Sequence, residues 1–341
     1  MAKLRIGVLY EYWWDEDEDR GGEAARPKRQ TPDEDVQKAY EALREAGHNP
    51  VYMRLDGTAQ SLIELGTAEA DLIFNLVDSF GGDDTRDSAV AGYLELIGKR
   101  FTGAGSRGLY LAQDKALAKK IFAFHGIHTP YFTTVYRGRT EHSHDIQFPV
   151  IVKPAHEDGS IGIHFGAVCG SIKELMDRID YIHAQFDSPA LIEEYIEGRE
   201  LYIGVLGNDR PVALPAIEMD LSKLPEGTPK IAGVEVKWEE DTEAYQKSWP
   251  FVPKDLDEAM VTRLNDAAIQ AYQALQLRDY GRIDFRLATD GTLHVLEVNP
   301  NPYLLPTAEF AMAAKESGRS YNDLIGEIVD LALARYTTNG K

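Results

Sequence analysis

The stretch "GRIDFRLATDGTLHVLEVNPNPY" (281–303) carries more chemistry than a structural hairpin needs. Asp290-Gly291 between two apolar runs is a strong hairpin signal, and side chains alternate along a strand with period two. Arg282, Asp284 and Arg286 therefore share a face on the first arm, and Val295, Glu297 and Asn299 share one on the second. Three hard oxygen donors, Asp284, Glu297 and Asn299, can converge at one end of such a hairpin. Oxygen donors without Cys or His suit Mg²⁺, which is commonly held by one or two carboxylates together with substrate phosphates. Pro300 and Pro302 stiffen the exit and hold Asn299 in place. The competing reading makes Asp284 and Arg282 ordinary partners on a solvated face. Apolar residues flanking each donor favour the metal.

Two further stretches could serve a nucleotide. In "VIVKPAHEDGSIGI" (150–163), Lys153 ends a β run, where a lysine can reach a phosphate as a point charge. The Gly-rich turn that follows can present consecutive N–H groups to an anion. Taken alone, the turn is equally a plain turn and the lysine equally one that snorkels. In "ALIEEYIEGRE" (190–200), two strands joined by a tight turn put Glu193 and Glu200 at either end of a short connection. Backbone there could meet an adenine and a carboxylate a ribose; solvated glutamates beside a turn are the plainer reading.

The elements that must position these residues follow from periodicity and punctuation. "LRIGVLY" (4–10), "NPVYMRL" and "ADLIFNLV" (70–77) read as strands. "DEDVQKAYEALREAG" (33–47), with Val36, Tyr40 and Leu43 on one face, and "SAVAGYLELIG" (88–98) read as helices stopped by Gly. Such alternation predicts a parallel sheet covered by helices, with the loops at 11–22 and 78–88 facing the ligand crevice. A helix over 113–126, the strand "FPVIVKPA", a helix from "SIKELMDRIDYIHAQ", a helix over 257–275, the hairpin and a closing helix near 320–336 complete the chain.

At 341 residues, two or three packed domains are expected. The net charge of −20 excludes a basic nucleic-acid stripe and disfavours an anionic membrane surface. Any phosphate site must then be a local island of Lys and Arg. No apolar stretch approaches a membrane span. "MAKLRIGVLY" reads as a first strand rather than a signal peptide, and the cytoplasm is the expected compartment. Cys169, the single cysteine, excludes an intramolecular disulfide and a Cys-based zinc site, and its apolar strand predicts a buried core residue. "HSHD" (142–145) could bind a transition metal, but its polar surroundings favour a solvated loop. Cap and packing roles suffice for His125 and His128.

In order along the chain, these pieces resemble the ATP-grasp superfamily, and more closely its D-alanine–D-alanine ligase branch. The resemblance rests on "QDKALAKKIFAFHGI" with Lys115, "VIVKPAHEDGSIG" with Lys153 and Glu157, and "LIEEYIEGRE" with Glu193 and Glu200. "VEVKW" with Lys237, "GRIDFRL" with Arg282 and Asp284, and "LEVNPNP" with Glu297 and Asn299 complete it, over roughly 70–315. It implies an α/β chain: an N-terminal parallel-sheet domain (1–113), then a central (114–205) and a C-terminal (206–341) α+β lobe clasping ATP. It implies that Lys115, Lys153, Glu157 and Glu193 frame ATP and that Glu194, Tyr195 and Ile196 offer backbone to adenine. Glu200 would bind the ribose and Lys237 the terminal phosphate. Asp284, Glu297 and Asn299 would hold two Mg²⁺ ions, with Mn²⁺ as the alternative. Arg282 would stabilise charge at the reacting carboxyl phosphate, and Ser160 belongs to the catalytic loop. The implied activity is ADP-forming carboxylate–amine ligation of amino acids or peptides through an acyl phosphate, by an enzyme whose close relatives are often homodimers.

The departures cluster where substrates would sit. The family's first loop carries a Gly-Gly, Ser and Glu signature; here it is "EYWWDEDEDRGG", with Trp13-Trp14 ahead of displaced glycines. Gly159-Ser160 replaces two adjacent serines, Trp238 replaces a tyrosine, Tyr303 a glycine and Ala308 a serine that binds the acceptor carboxylate. Substrates other than two D-alanines are therefore expected. The aromatics Trp13, Trp14 and Tyr303 either line a larger pocket or pack between lobes. The alternatives are a genuine D-alanine–D-alanine ligase, an ATP-grasp phosphotransferase and a non-catalytic nucleotide-binding protein.

Overall fold

The structure, a computed structural model, describes residues 3–12, 32–138, 147–186 and 188–338. Its first part alternates β1 (Arg5–Glu11), α1 (Glu34–Glu45), β2 (Asn49–Leu55), α2 (Ala59–Thr67), β3 (Leu72–Asn75) and α3 (Asp87–Leu96). The strands form a parallel sheet in the order β2-β1-β3. Six of the seven β1 residues are buried, as expected of a strand covered on both faces. The order reverses about β1, so the crevice beyond the ends of β1 and β3 is the natural ligand side. Glu11 lies there, its carboxylate accepting from Ser79 Oγ and, at 3.2 Å, from Gly82 N.

The central lobe is entered through α4 (Ser106–Gln113) and α5 (Lys115–Phe124); between them Asp114 caps α5 by accepting from Leu117 N at 2.9 Å. Then come β4 (Phe132–Val135), β5 (Val150–Pro154), β6 (Val168–Cys169), α6 (Ile172–Gln185) and β7 (Ala190–Glu194). The sheet is antiparallel, ordered β4-β7-β5-β6. Helix α6 covers its Val150, Val152, Ala190 and Ile192 face, and Cys169 is fully buried in that core. Lys153 and Glu193 therefore project from the opposite face.

The remaining chain forms β8 (Gly198–Leu206), β9 (Val212–Ala213), β10 (Ile217–Met219), α7 (Val234–Lys237), α8 (Glu243–Lys247), β11 (Pro250–Phe251), α9 (Glu258–Ala274), β12 (Tyr280–Ala288), β13 (Leu293–Asn299), α10 (Glu309–Glu316) and α11 (Tyr321–Thr338). Its sheet runs β11-β10-β8-β12-β13, with β9 on β8. This corrects one expectation. The segments "ALIEEYI" and "RELYIGVLG" are two strands, as expected, but no tight turn folds one onto the other, because β7 and β8 belong to different sheets. Strand β8, assigned by the expected 205/206 division to the central lobe, lies in the middle of the C-terminal sheet. The sheets part at 195–197. A Cβ on Gly198 would stand 2.0 Å from Leu287 O, so only glycine lets β8 start against β12 there.

One core joins Ile6, Val8, Leu72 and Phe74 of the first sheet to Tyr202 and Leu206 of the last and to Phe310 of α10, and α11 returns onto α1 through Leu324, Ile325, Ile328 and Val329. The central lobe keeps a separate core. No helix among the described residues is long and apolar enough to cross a membrane.

Candidate active site

The cleft between the two antiparallel sheets is lined with paired charges. On α5, Lys115 and Lys119 lie one turn apart and therefore on one face. Lys119 Nζ stands 2.9 Å from Glu193 Oε1 and donates to Thr129 Oγ1 at 2.7 Å; that hydroxyl donates to Val295 O at 2.9 Å. Lys153 Nζ donates to Glu193 Oε2 at 2.7 Å. Glu193 is 1% exposed. Burial pushes its carboxyl up, but Lys119 and Lys153 outweigh burial and hold it below the usual carboxylate range. Lys115 Nζ lies 2.9 Å from Asp158 Oδ1, 3.7 Å from Glu297 Oε2, and also donates to Glu157 O. Burial opposes its charge, yet Asp158 and Glu297 raise its pKa. Lys115, Lys153, Glu157, Glu193 and Glu297 are thus brought together, and Glu157 enters through its carbonyl.

The hairpin faces this group. Asp284 pairs in register with Glu297, and Arg282 with Asn299. A bulge at Leu296 then shifts the register, so Phe285 faces Val295. The expected alternation fails at that point: Val295 and Val298 both enter the core with Ile283 and Phe285, whereas Glu297 and Asn299 stay on the cleft side. Asp284 is not on a solvated face either. It is 3% exposed and grips Arg282 in a fork, Oδ1 accepting from Nε at 2.8 Å and Oδ2 from NH2 at 2.9 Å. Burial pushes the Asp284 carboxyl up, while the cations around Glu297, led by Lys115, bring that carboxyl down against burial.

Among the described residues no three His, Cys, Asp or Glu side chains are gathered as a metal site. The oxygen set here is two facing carboxylates and an amide, and Asn299 Nδ2 is buried with no partner. The carboxylate oxygens of Asp284 and Glu297 and the amide oxygen of Asn299 are hard donors of the kind magnesium takes, while the orphaned Nδ2, a donor, suits a phosphate oxygen brought in with the ion.

The other expected residues sit around this centre. Glu200 faces Arg286 across β8 and β12, accepting from its NH2 at 2.9 Å and from Tyr202 OH at 2.8 Å. Of the 194–196 backbone, Glu194 N donates to Tyr131 O and Tyr195 N to Pro149 O, at 2.9 and 3.2 Å. Neither of those two N–H groups is open to a ligand. Lys237 ends α7, its Nζ 6.0 Å from the Tyr202 ring centroid. The Gly-rich loop is stitched to the segment before and through α7: Ser160 Oγ donates to Ala232 O at 3.0 Å, Trp238 Nε1 to Gly159 O at 2.7 Å and Val234 N to Ile163 O at 2.8 Å. Ser160, at φ 65°, holds a left-handed conformation uncommon for a residue with a side chain.

Three residues of the cleft escaped the sequence reading: Lys119, Asp158 and Glu309. The spacing of Lys119 from Lys115 was a usable signal, whereas nothing local points to Glu309, which accepts from Arg282 NH1 at 3.1 Å. Trp13, Trp14 and "HSHD" (142–145) lie outside the described residues. Tyr303 is 45% exposed and Ala308 caps α10 without a side-chain hydrogen bond. His128 meets His294 edge-on at 5.4 Å, a packing contact.

Comparison with known proteins bears on these residues. The family described as "D-ala D-ala ligase C-terminus" matches residues 121–330. A protein of Sinorhizobium fredii (strain NBRC 101917 / NGR234), itself uncharacterized, is 32% identical over 305 residues, covering 88% of this chain and 87% of its own. The D-alanine–D-alanine ligase of Bordetella petrii is 32% identical over 335 residues, covering 97% and 93%. The crystal structure of the Bacillus anthracis D-alanine–D-alanine ligase complexed with ATP superposes with a TM-score of 0.73 at 20% identity, covering 98% of this chain and 99% of that one. That likeness speaks to the fold.

Proposed function

Since the chain belongs to the ATP-grasp family of D-alanine–D-alanine ligases and their relatives, we propose that it is an ADP-forming carboxylate–amine ligase, acting on amino acids or short peptides through an acyl phosphate. Within this reading the chain comprises an N-terminal domain and two lobes, with the second junction moved to the 195–197 connection. The observation that carries the proposal is the meeting of a lysine group from one lobe with a carboxylate pair from the other, Lys115 Nζ standing 3.7 Å from Glu297 Oε2. In a chain of net charge −20, such an island of cations is where a polyphosphate would be held.

Lys115, Lys153 and Lys237 would neutralise phosphate oxygens, Ile196 N–H would meet the adenine edge, and Glu200, already oriented by Arg286 and Tyr202, would take the ribose hydroxyls. Asp284, Glu297 and Asn299 would hold Mg²⁺, which supplies charge neutralisation across the transferring phosphoryl group. A carboxylate is inert to amines because its oxygen is a poor leaving group. Phosphorylation lets that oxygen depart as part of inorganic phosphate when the amine attacks, and Arg282 would stabilise the charge that develops there. The Gly-rich loop, tied to Ala232 and Trp238, would keep water from the acyl phosphate. A homodimer and a cytoplasmic setting belong to the same reading.

A second reading, synthesis of D-alanyl-D-alanine itself, is supported by the Bordetella petrii relative. Trp238, Tyr303 and Ala308 count against it. The test is hydroxylamine trapping with MgATP and pools of amino acids and short peptides, D-alanine included. A hydroxamate identifies the carboxylate donor and supports the ligase. ADP formed with a substrate but with no hydroxamate points to a phosphotransferase and refutes acyl-phosphate chemistry.

A further inference from the structure

Asp284 stands under two demands. Both its oxygens accept from Arg282, yet the proposed function asks the same oxygens to face a divalent cation. A guanidinium and a divalent ion drawn to one carboxylate repel each other strongly in a water-poor site. Arg282 therefore needs a second anion if it is to stay beside the reacting group. The structure offers one on its third side, where NH1 donates to Glu309 Oε2 at 3.1 Å, while the Tyr202 ring lies 5.0 Å from the guanidinium carbon.

Glu309 is well placed to act as a fixed anchor. It opens α10, and Phe310 next to it is 1% exposed and packed so closely on β8 that a Cβ on Gly204 would come within 3.0 Å of its ring. An acidic residue in a first helical turn needs no partner, since the helix dipole alone favours it. Glu309, however, is turned inward onto Arg282, with its side chain only 17% exposed.

We propose that Glu309 is a positioning residue that holds Arg282 when Asp284 turns its oxygens to the metal. Without this second carboxylate, Arg282 keeps Asp284 as its one hydrogen-bonded anion among the described residues and competes with the ion for it. The inference rests on the metal role proposed above for Asp284. It predicts a defect in metal binding, not in nucleotide binding, because Glu309 touches none of the lysines.

The experiment titrates Mn²⁺ into the full chain with a non-hydrolysable ATP analogue, reading free Mn²⁺ by electron paramagnetic resonance and analogue affinity separately. Glu309→Gln, which keeps size and removes charge, should weaken Mn²⁺ binding about tenfold with little change in metal-free analogue affinity. Glu309→Asp should recover most of the loss. In an Asp284→Asn background, where the contested carboxylate is gone, Glu309→Gln should add nothing. Unchanged Mn²⁺ affinity in Glu309→Gln overturns the inference, as does an equal loss in the Asp284→Asn background, which signals a merely structural role. If the unaltered protein itself binds no Mn²⁺–nucleotide, the proposed function fails first and the inference with it.

Discussion

Glu193 shows how one buried side chain can organise a site. Its two oxygens are divided between Lys119 and Lys153, from different elements. Breaking a buried ion pair by removing one partner costs about 3–5 kcal/mol, because the other charge is left unpaired in a poor solvent. Glu193→Gln leaves two buried lysines without their anion and should lower unfolding stability by about that amount in a denaturant titration. A loss under about 1 kcal/mol would show that the lysines find other partners. Since its carboxyl is held below the usual range, its stabilisation is present at neutral pH and lost as pH falls through the folded pKa. Lys153 and Glu193 were legible as candidates; Lys119 and the pairing were not, since Lys119 and Glu193 are joined only by folding.

At the scale of elements, a loop fastened to α7 and a bulge shape the cleft. The bulge at Leu296 keeps Val295 and Val298 in the core while turning Glu297 and Asn299 outward, which strict alternation could not do. The Gly-rich loop is fastened to the α7 segment by Ser160 and Trp238. Trp238→Phe keeps an aromatic ring and deletes the N–H that Gly159 O accepts. A hydrogen bond contributes about 0.5–1.5 kcal/mol, so the closed loop should be populated roughly two- to tenfold less. Water then gains access, and the ratio of ADP to amide product should rise above that of the unaltered protein. A ratio that stays unchanged would show that this contact does not close the site.

For the whole molecule, the N-terminal domain and the C-terminal lobe share one core while the central lobe has its own. The 195–197 connection is where the chain passes from one sheet to the other, and the Lys115 contact with Glu297 spans the cleft between them. On the N-terminal side of that cleft, burial and the nearby Asp158 push the Asp87 carboxyl up to about 8. Its folded pKa lies above its unfolded one, so its contribution is full below about pH 4 and lost as pH rises through about 8, on the order of a few kcal/mol. Thermal unfolding should show a Tm that falls over that range, and Asp87→Asn should flatten the fall; an equally steep Asn variant would assign the dependence elsewhere. What the amino-acid sequence determined by itself is the strand or helix character of segments such as 4–10, 33–47, 70–77 and 257–275, the parallel alternation of the first part and the β12–β13 hairpin. These depend on local spacing and side-chain type. Only the tertiary structure decided that β8 crosses to the C-terminal sheet, that Leu296 bulges, that Arg282 is shared between Asp284 and Glu309, and that Lys119 completes the Glu193 pair. The physical reason is that register, burial and counter-ion choice are settled between residues far apart in the chain, where the competition among partners is resolved only when all of them are packed.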